Sequence, residues 1–256
     1  MNHLQKLANP SPGAPALSLW RRVITALFVA STVGAAAVAM FHSWAGAPTG
    51  SFWFWLAACF LAELLWVRLP FGGATLSMAS CANFAAILLL SRGEAMAAAA
   101  VSVLVAELFI VRKPWERALF NSAQTSLAVG WAALVYSLLG GKVGNPIAAL
   151  SDPALTPIVL AAVIYSMVNT SMVSLAISLN QGISVFTAWR KNYANRFEFL
   201  SNGALFSLGT LLAVLYSIIG PMGTVLVLLP MLAMHEGYRR ISRPNPLTKE
   251  EPAKAA

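Results

Sequence analysis

The sequence predicts an all-α fold: a polytopic transmembrane helical bundle of about eight spans, with both termini cytoplasmic. Three observations carry this. Apolar residues make up 58% of the 256 and charged residues 10%, where soluble domains carry roughly 45–50% and about 25%. The apolar residues are gathered into runs near the length a helix needs to cross about 30 Å of hydrocarbon. The basic residues lie between those runs and fall almost entirely on one side. Mean hydropathy is +0.71. Too few polar side chains exist to cover a water-soluble globule, and the composition equally excludes a disordered chain or a secreted disulfide scaffold.

The chain divides into a Pro/Ser/Ala-rich N-terminal tail (1–19), a membrane domain (20–240) and a polar C-terminal tail (241–256). The first apolar run follows Arg21-Arg22 and extends from Val23 to about Ala45. It is longer than a signal-peptide core, and Pro48 follows the cleavage-like Ala45-Gly46-Ala47, so an uncleaved first helix is expected. Further runs fall at roughly 52–67, 76–91, 94–111, 118–139, 155–180, 199–219 and 222–236. The second and third flank Leu69-Pro70-Phe71-Gly72-Gly73, read as a turn or short re-entrant piece. Arg92-Gly93-Glu94 is only a brief interruption, and Gly220-Pro221-Met222-Gly223 joins the last two runs as a tight hairpin.

Eight spans from a cytoplasmic N-terminus leave fifteen of the seventeen Lys and Arg inside and only Arg92 and Lys142 outside. The formal charge of +8 is thus topological, and no nucleic-acid partner is expected. Between the sixth and seventh runs, Ile183, Phe186, Trp189 and Tyr193 recur at 3, 3 and 4 residues beside Arg190 and Lys191, which predicts an amphipathic helix on the inner leaflet.

Intramembrane polarity is the best sequence pointer to function. Asn121, Asn169 and Asn202 each open an Asn-x4-Ser-Leu string, a pattern of either a decayed repeat or chance. Asn83, Asn121, Gln124, Asn169 and Asn202 form a candidate ligand-binding cluster; the competing reading is interhelical hydrogen bonding that only holds the packing. Ser166, Thr170, Ser174 and Ser178 at i+4 spacing, with Ser122, Ser126 and Gly130, read as small-residue seams between helices. Glu63 and Glu107 lie near inner ends, close to Arg68 and to Arg112-Lys113. Glu116, Glu198 and Glu236 are expected to pair with Arg117, Arg196 and Arg239-Arg240. Cys59 and Cys81 lie inside apolar runs as packing residues. No metal-ligand spacing, phosphate-binding Gly loop or nucleophile elbow is present in the sequence, so no metal, cofactor or catalytic residue is expected.

Several short motifs carry a resemblance: Leu69-Pro70-Phe71-Gly72-Gly73 with Ser77, Arg117-Ala118-Leu119-Phe120-Asn121-Ser122-Ala123-Gln124, Val135-Tyr136-Ser137-Leu138-Leu139-Gly140-Gly141, Tyr165-Ser166-Met167-Val168-Asn169-Thr170, Trp189-Arg190-Lys191-Asn192 and Leu228-Leu229-Pro230. Through them the stretch from Trp53 to Arg243 resembles the membrane-embedded N-terminal sensor region of bacterial HD-domain phosphohydrolases of the HD-GYP type and of some diguanylate cyclases. No HD or GGDEF output domain follows Arg243 in this sequence. The resemblance implies a non-enzymatic protein of the bacterial inner membrane, of sensor or accessory-subunit type. Its partners would be the lipid bilayer and a cytoplasmic or membrane protein, met on a face built from Arg112, Lys113, Arg117, Arg190, Lys191, Arg239 and Arg240. The Pro-Phe-Gly-Gly segment followed by Ser also looks like the vitamin-binding S components of energy-coupling-factor importers. This implies the alternative, a binder or transporter of a small-molecule ligand.

Overall fold

The structure, a computed structural model, describes residues 19–44, 46–68, 75–151 and 155–241. The N-terminal tail up to residue 18, the Leu69–Gly73 segment and residues 242–256 lie outside the described residues. Helices dominate: α1 (Leu19–Ser43), α2 (Gly50–Glu63), α3 (Ala79–Leu89), α4 (Arg92–Val105), α5 (Trp115–Leu138), α6 (Thr156–Gln181), α7 (Val185–Asn192), α8 (Arg196–Ile219) and α9 (Met222–Ile241). Among the described residues four helical segments are long and apolar enough to cross a membrane: Leu19–Ser43, Arg92–Ile110, Thr156–Gln181 and Arg196–Ile219. Gly50–Glu63, Ala79–Leu89 and Met222–Gly237 are shorter apolar helices.

Two departures from the all-α expectation stand together. The runs at 52–67 and 76–91 are helical only over α2 and α3. Their facing ends form a two-stranded antiparallel ribbon, β1 (Trp66–Arg68) with β2 (Thr75–Ser77), with Trp66 opposite Ser77 and Arg68 opposite Thr75. Hydropathy cannot separate an apolar strand from an apolar helix, and Trp66-Val67 and Thr75 are residue types that favour strands. With its 11 residues, α3 rises only about 16 Å, about half the hydrocarbon thickness. It is nevertheless the centre of the bundle: nine of its residues are buried, and α2, α4, α5 and α8 all pack on it.

Local chemistry sets the helix starts. Thr49 accepts from the Phe52 amide, Ser184 from Thr187 and Asn195 from Glu198. At Arg92-Gly93-Glu94 the interruption is a true helix start. Ser91 and Glu94 form a reciprocal capping box, and the Glu94 carboxylate also accepts from the Thr49 amide at 2.8 Å. Gly182 ends α6 with φ +70°, and a Cβ there would collide with the Arg21 guanidinium. The Arg21 cation therefore lies against the carbonyl end of α6, where the helix dipole favours it.

Interhelix contacts fix the direction of each helix. Ser122 and Ser126 donate to the Ala100 and Met96 carbonyls, at 2.8 and 3.2 Å, so α5 runs antiparallel to α4. The start of α4 meets both the end of α1, at Ser43 and Trp44, and the start of α2, at Thr49. The Gly144 amide after α5 donates to Leu88 at the end of α3, and Tyr216 near the end of α8 reaches Ser51 at the start of α2. At the other end Arg21 meets Gly182, and Asn121 meets Glu107. The starts of α1 and α5 and the ends of α4 and α6 thus share one end of the bundle.

Candidate functional site: a groove between two splayed helices and a cationic end

Helix α6 packs mainly on α5, whereas α8 packs on α3 and α9. The two helices splay apart, and the amphipathic helix α7 closes the gap at the bottom. The result is a groove of about 1030 Å³ walled by α6, α7 and α8. The predicted amphipathic helix is present as α7: the Phe186 and Trp189 rings lie 6.2 Å apart in a stacked pair, and both line the groove. One wall carries Leu155, Ile158, Val159, Ala162 and Val163 toward one end and Ser166, Thr170 and Ser174 toward α7. Facing the lower part are Tyr193, Glu198, Asn202 and Gly203.

Glu198 is 9% exposed, and its carboxylate accepts from Asn202 Nδ2 at 3.1 Å. The expected partner, Arg196, is exposed and makes no such pair; one helical turn brings residue 202 over residue 198, whereas residue 196 points elsewhere. Burial, and the Glu198 carboxyl beside it, raise the Tyr193 phenol well above its ordinary range, so it stays protonated. Ser174 is fully buried, lines the groove, and its hydroxyl has no hydrogen-bond partner. Ser166 and Thr170, both half-buried, therefore line the groove rather than seal a helix seam, whereas Ser174 lies buried within its wall. The Ser122–Ser126 row of α5 is a seam, as expected. At Gly130 a Cβ would come within 2.6 Å of the Met96 sulfur.

The five candidate ligand residues do not share this groove. Asn202 alone lines it. Asn83, 1% exposed on α3, lies within hydrogen-bonding reach of the Tyr165 hydroxyl, and its Oδ1 has no partner. Gln124 is buried on α5 and donates to Thr125 at 3.0 Å. Asn169 is half-buried on α6. Asn121 donates to both Glu107 oxygens at 2.8 Å. Polar residues within apolar runs can be read from sequence, but that does not fix which neighbour each side chain faces.

Glu107 anchors a second polar site. It lies in a π-helical turn, Ala106–Ile110, that continues α4, a feature frequent at functional sites. Its carboxylate accepts from Asn121 of α5 and pairs with Lys113, one of the two nearby cations, while Arg112 is exposed. Arg112 in the linking loop has φ +57°, uncommon for a residue with a side chain. Around this corner Arg112 and Arg117 are exposed, as are Arg190 and Lys191 on α7. Arg240 is exposed on α9 and pairs with Glu236 at 3.1 Å. The Arg239 side chain lies outside the described residues. Among the described residues no group of three His, Cys, Asp or Glu could hold a metal ion.

The MASE9 family model matches residues 53–238, a stretch that contains the groove and the Glu107 corner and leaves α1 outside. No curated protein and no solved structure matches the chain. The matched stretch covers most of the sequence, and the chain belongs to MASE9, a membrane-associated sensor-type domain family.

Proposed function

We propose that this protein is a non-enzymatic sensor or accessory subunit of a bacterial inner membrane, acting through protein contacts on its cationic end. In this reading the eight apolar runs, whose helical parts are α1 to α6, α8 and α9, traverse the membrane domain in turn, with both termini cytoplasmic. The output partner is an enzyme of the HD-GYP or diguanylate cyclase class, whose membrane regions the sequence resembles. One observation carries the reading: Arg21, Arg112, Arg117, Arg190 and Lys191 stand exposed on loops and helix ends that the interhelix contacts gather at one end of the bundle. Positive charge concentrated on one side of a membrane protein marks the cytoplasmic side, and its like-charged surface steers acidic partners.

Single cysteines introduced at positions 115 and 190, in a background lacking Cys59 and Cys81, test the topology. A membrane-impermeant maleimide should label neither in intact cells and both after permeabilisation. Labelling of either in intact cells would invert the map and remove the docking surface. With the topology established, the double charge reversal Arg190→Glu/Lys191→Glu should weaken co-purification of the output enzyme about tenfold, the scale of one or two rim charge pairs, without changing insertion.

A further inference from the structure

We propose that the groove between α6 and α8 binds a single-chain amphiphile drawn from the bilayer, whose head group donates hydrogen bonds and carries no negative charge. Its volume of about 1030 Å³ lies at the upper end of the roughly 300–1,000 Å³ of small-molecule sites. Its shape is long. The lining on α6 extends from Leu155 to Ser174, about 28 Å of helix, close to the thickness of the hydrocarbon layer. A compact polar metabolite would leave most of that length unfilled.

Polarity is graded along the groove. On the α6 wall the Leu155–Val163 stretch offers only aliphatic side chains, with the Ser207 and Thr210 hydroxyls on α8, while the α7 end adds the Glu198 carboxyl, the Asn202 amide, Ser174 and Tyr193 beside the Phe186 and Trp189 rings. A largely apolar groove whose only carboxyl and amide lie at one end matches a tail joined to a head. The head-group end is built and unsatisfied. The Ser174 hydroxyl is fully buried with no partner in the protein. Glu198 accepts one hydrogen bond, from Asn202, and a carboxylate has room for several.

The charge of the head follows from the same wall. No Lys or Arg lines the groove. Arg190, Lys191 and Arg196 belong to the same elements but point to the exterior. A carboxylate or phosphate head would meet Glu198 with no cation to offset it in a low-dielectric setting. An amine or hydroxyl would instead donate to it.

Gly203 supplies the space. It lies inside α8, where glycine is a poor helix former, yet a Cβ there would touch nothing within 4 Å. No packing contact calls for a glycine, so what its missing side chain leaves is groove volume. Occupancy of the groove and docking at the cationic end are separate events, and the experiment below reads only the first.

The full chain in phosphatidylcholine nanodiscs is exposed at neutral pH to three photoactivatable probes with a mid-chain diazirine: dodecylamine, dodecanol and dodecanoate. Adducts are mapped by peptide mass spectrometry. The amine and alcohol should label the α6 and α8 segments lining the groove about tenfold more than dodecanoate, the factor for one charge-assisted hydrogen bond kept against one lost. Gly203→Phe should cut that labelling about tenfold by displacing about two methylenes of tail, with unchanged insertion and thermal stability. If that variant unfolds, Met167→Trp on the facing helix makes the same block. Glu198→Gln should raise dodecanoate labelling to the level of the alcohol. Equal labelling by all three head groups in the unaltered protein would overturn the proposal, because ordinary acyl chains would then fill the groove without selection. So would labelling that survives both blocking substitutions.

Discussion

Alanine at Gly203 and alanine at Gly209, two positions on the same helix, should move stability in opposite directions. At Gly203 the added methyl meets nothing within 4 Å, so the helix gains the ordinary advantage of Ala over Gly, about 0.8–1 kcal/mol. At Gly209 the methyl would lie 2.6 Å from the Cys81 carbonyl oxygen and 3.1 Å from Phe84 Cβ. Both belong to the buried helix α3, held on several sides, so neither atom can swing away. The two helices must separate by several tenths of an ångström, and overpacking of that kind costs about 1–3 kcal/mol. A rigid backbone oxygen puts the cost at the upper end. After the propensity gain, Gly209→Ala should destabilise by about 2 kcal/mol. At about 2–4 °C per kcal/mol for a chain of this size, thermal unfolding in detergent should shift up by about 2–4 °C for Gly203→Ala and down by about 4–8 °C for Gly209→Ala. Shifts of the same sign, or a Gly209→Ala variant as stable as the parent, would show that the α3–α8 approach is not as close as described and would undercut the wall of the groove.

Other consequences concern the polar sites. Asn121→Leu should cost about 1.5–3 kcal/mol, since its amide donates to both oxygens of a charged carboxylate. In a double-mutant cycle with Glu107→Gln, followed by dodecyl sulfate titration, the two should couple by about 1.5 kcal/mol. A coupling under about 0.3 kcal/mol would mean that the pair does not interact. Glu94→Ala removes the acceptor for the Thr49 amide and for both Ser91 donors. It should cost about 2–3 kcal/mol and speed hydrogen exchange at Thr49 and Ser91, and exchange left unchanged at both would contradict the described cap.

Features written in one dimension were legible without the structure. The helical runs and the α7 spacing need only neighbours three or four residues away, and each is present; the Arg92-Gly93-Glu94 interruption, by contrast, proved to be a capped helix start. The nearness of Glu107 to Arg112 and Lys113 was visible too, but not which of the two it meets. Glu198 was not: two oppositely charged residues close in sequence suggested a pair with Arg196, but helix geometry turns the carboxyl toward Asn202. The Ser166–Thr170–Ser174 row was visible as a stripe, yet a stripe facing a helix and a stripe facing a cavity have the same spacing. Apolar runs likewise hid the β1–β2 ribbon, because length and hydropathy do not distinguish a helix end from a strand.

By itself the sequence determined the membrane setting and the helical class, because those follow from composition and from period along the chain. Only the tertiary structure decided which polar groups meet, why α3 is central although short, and that α6 and α8 part to leave a groove. Those outcomes depend on which helix each face packs against, and that is settled by contacts between residues far apart in sequence.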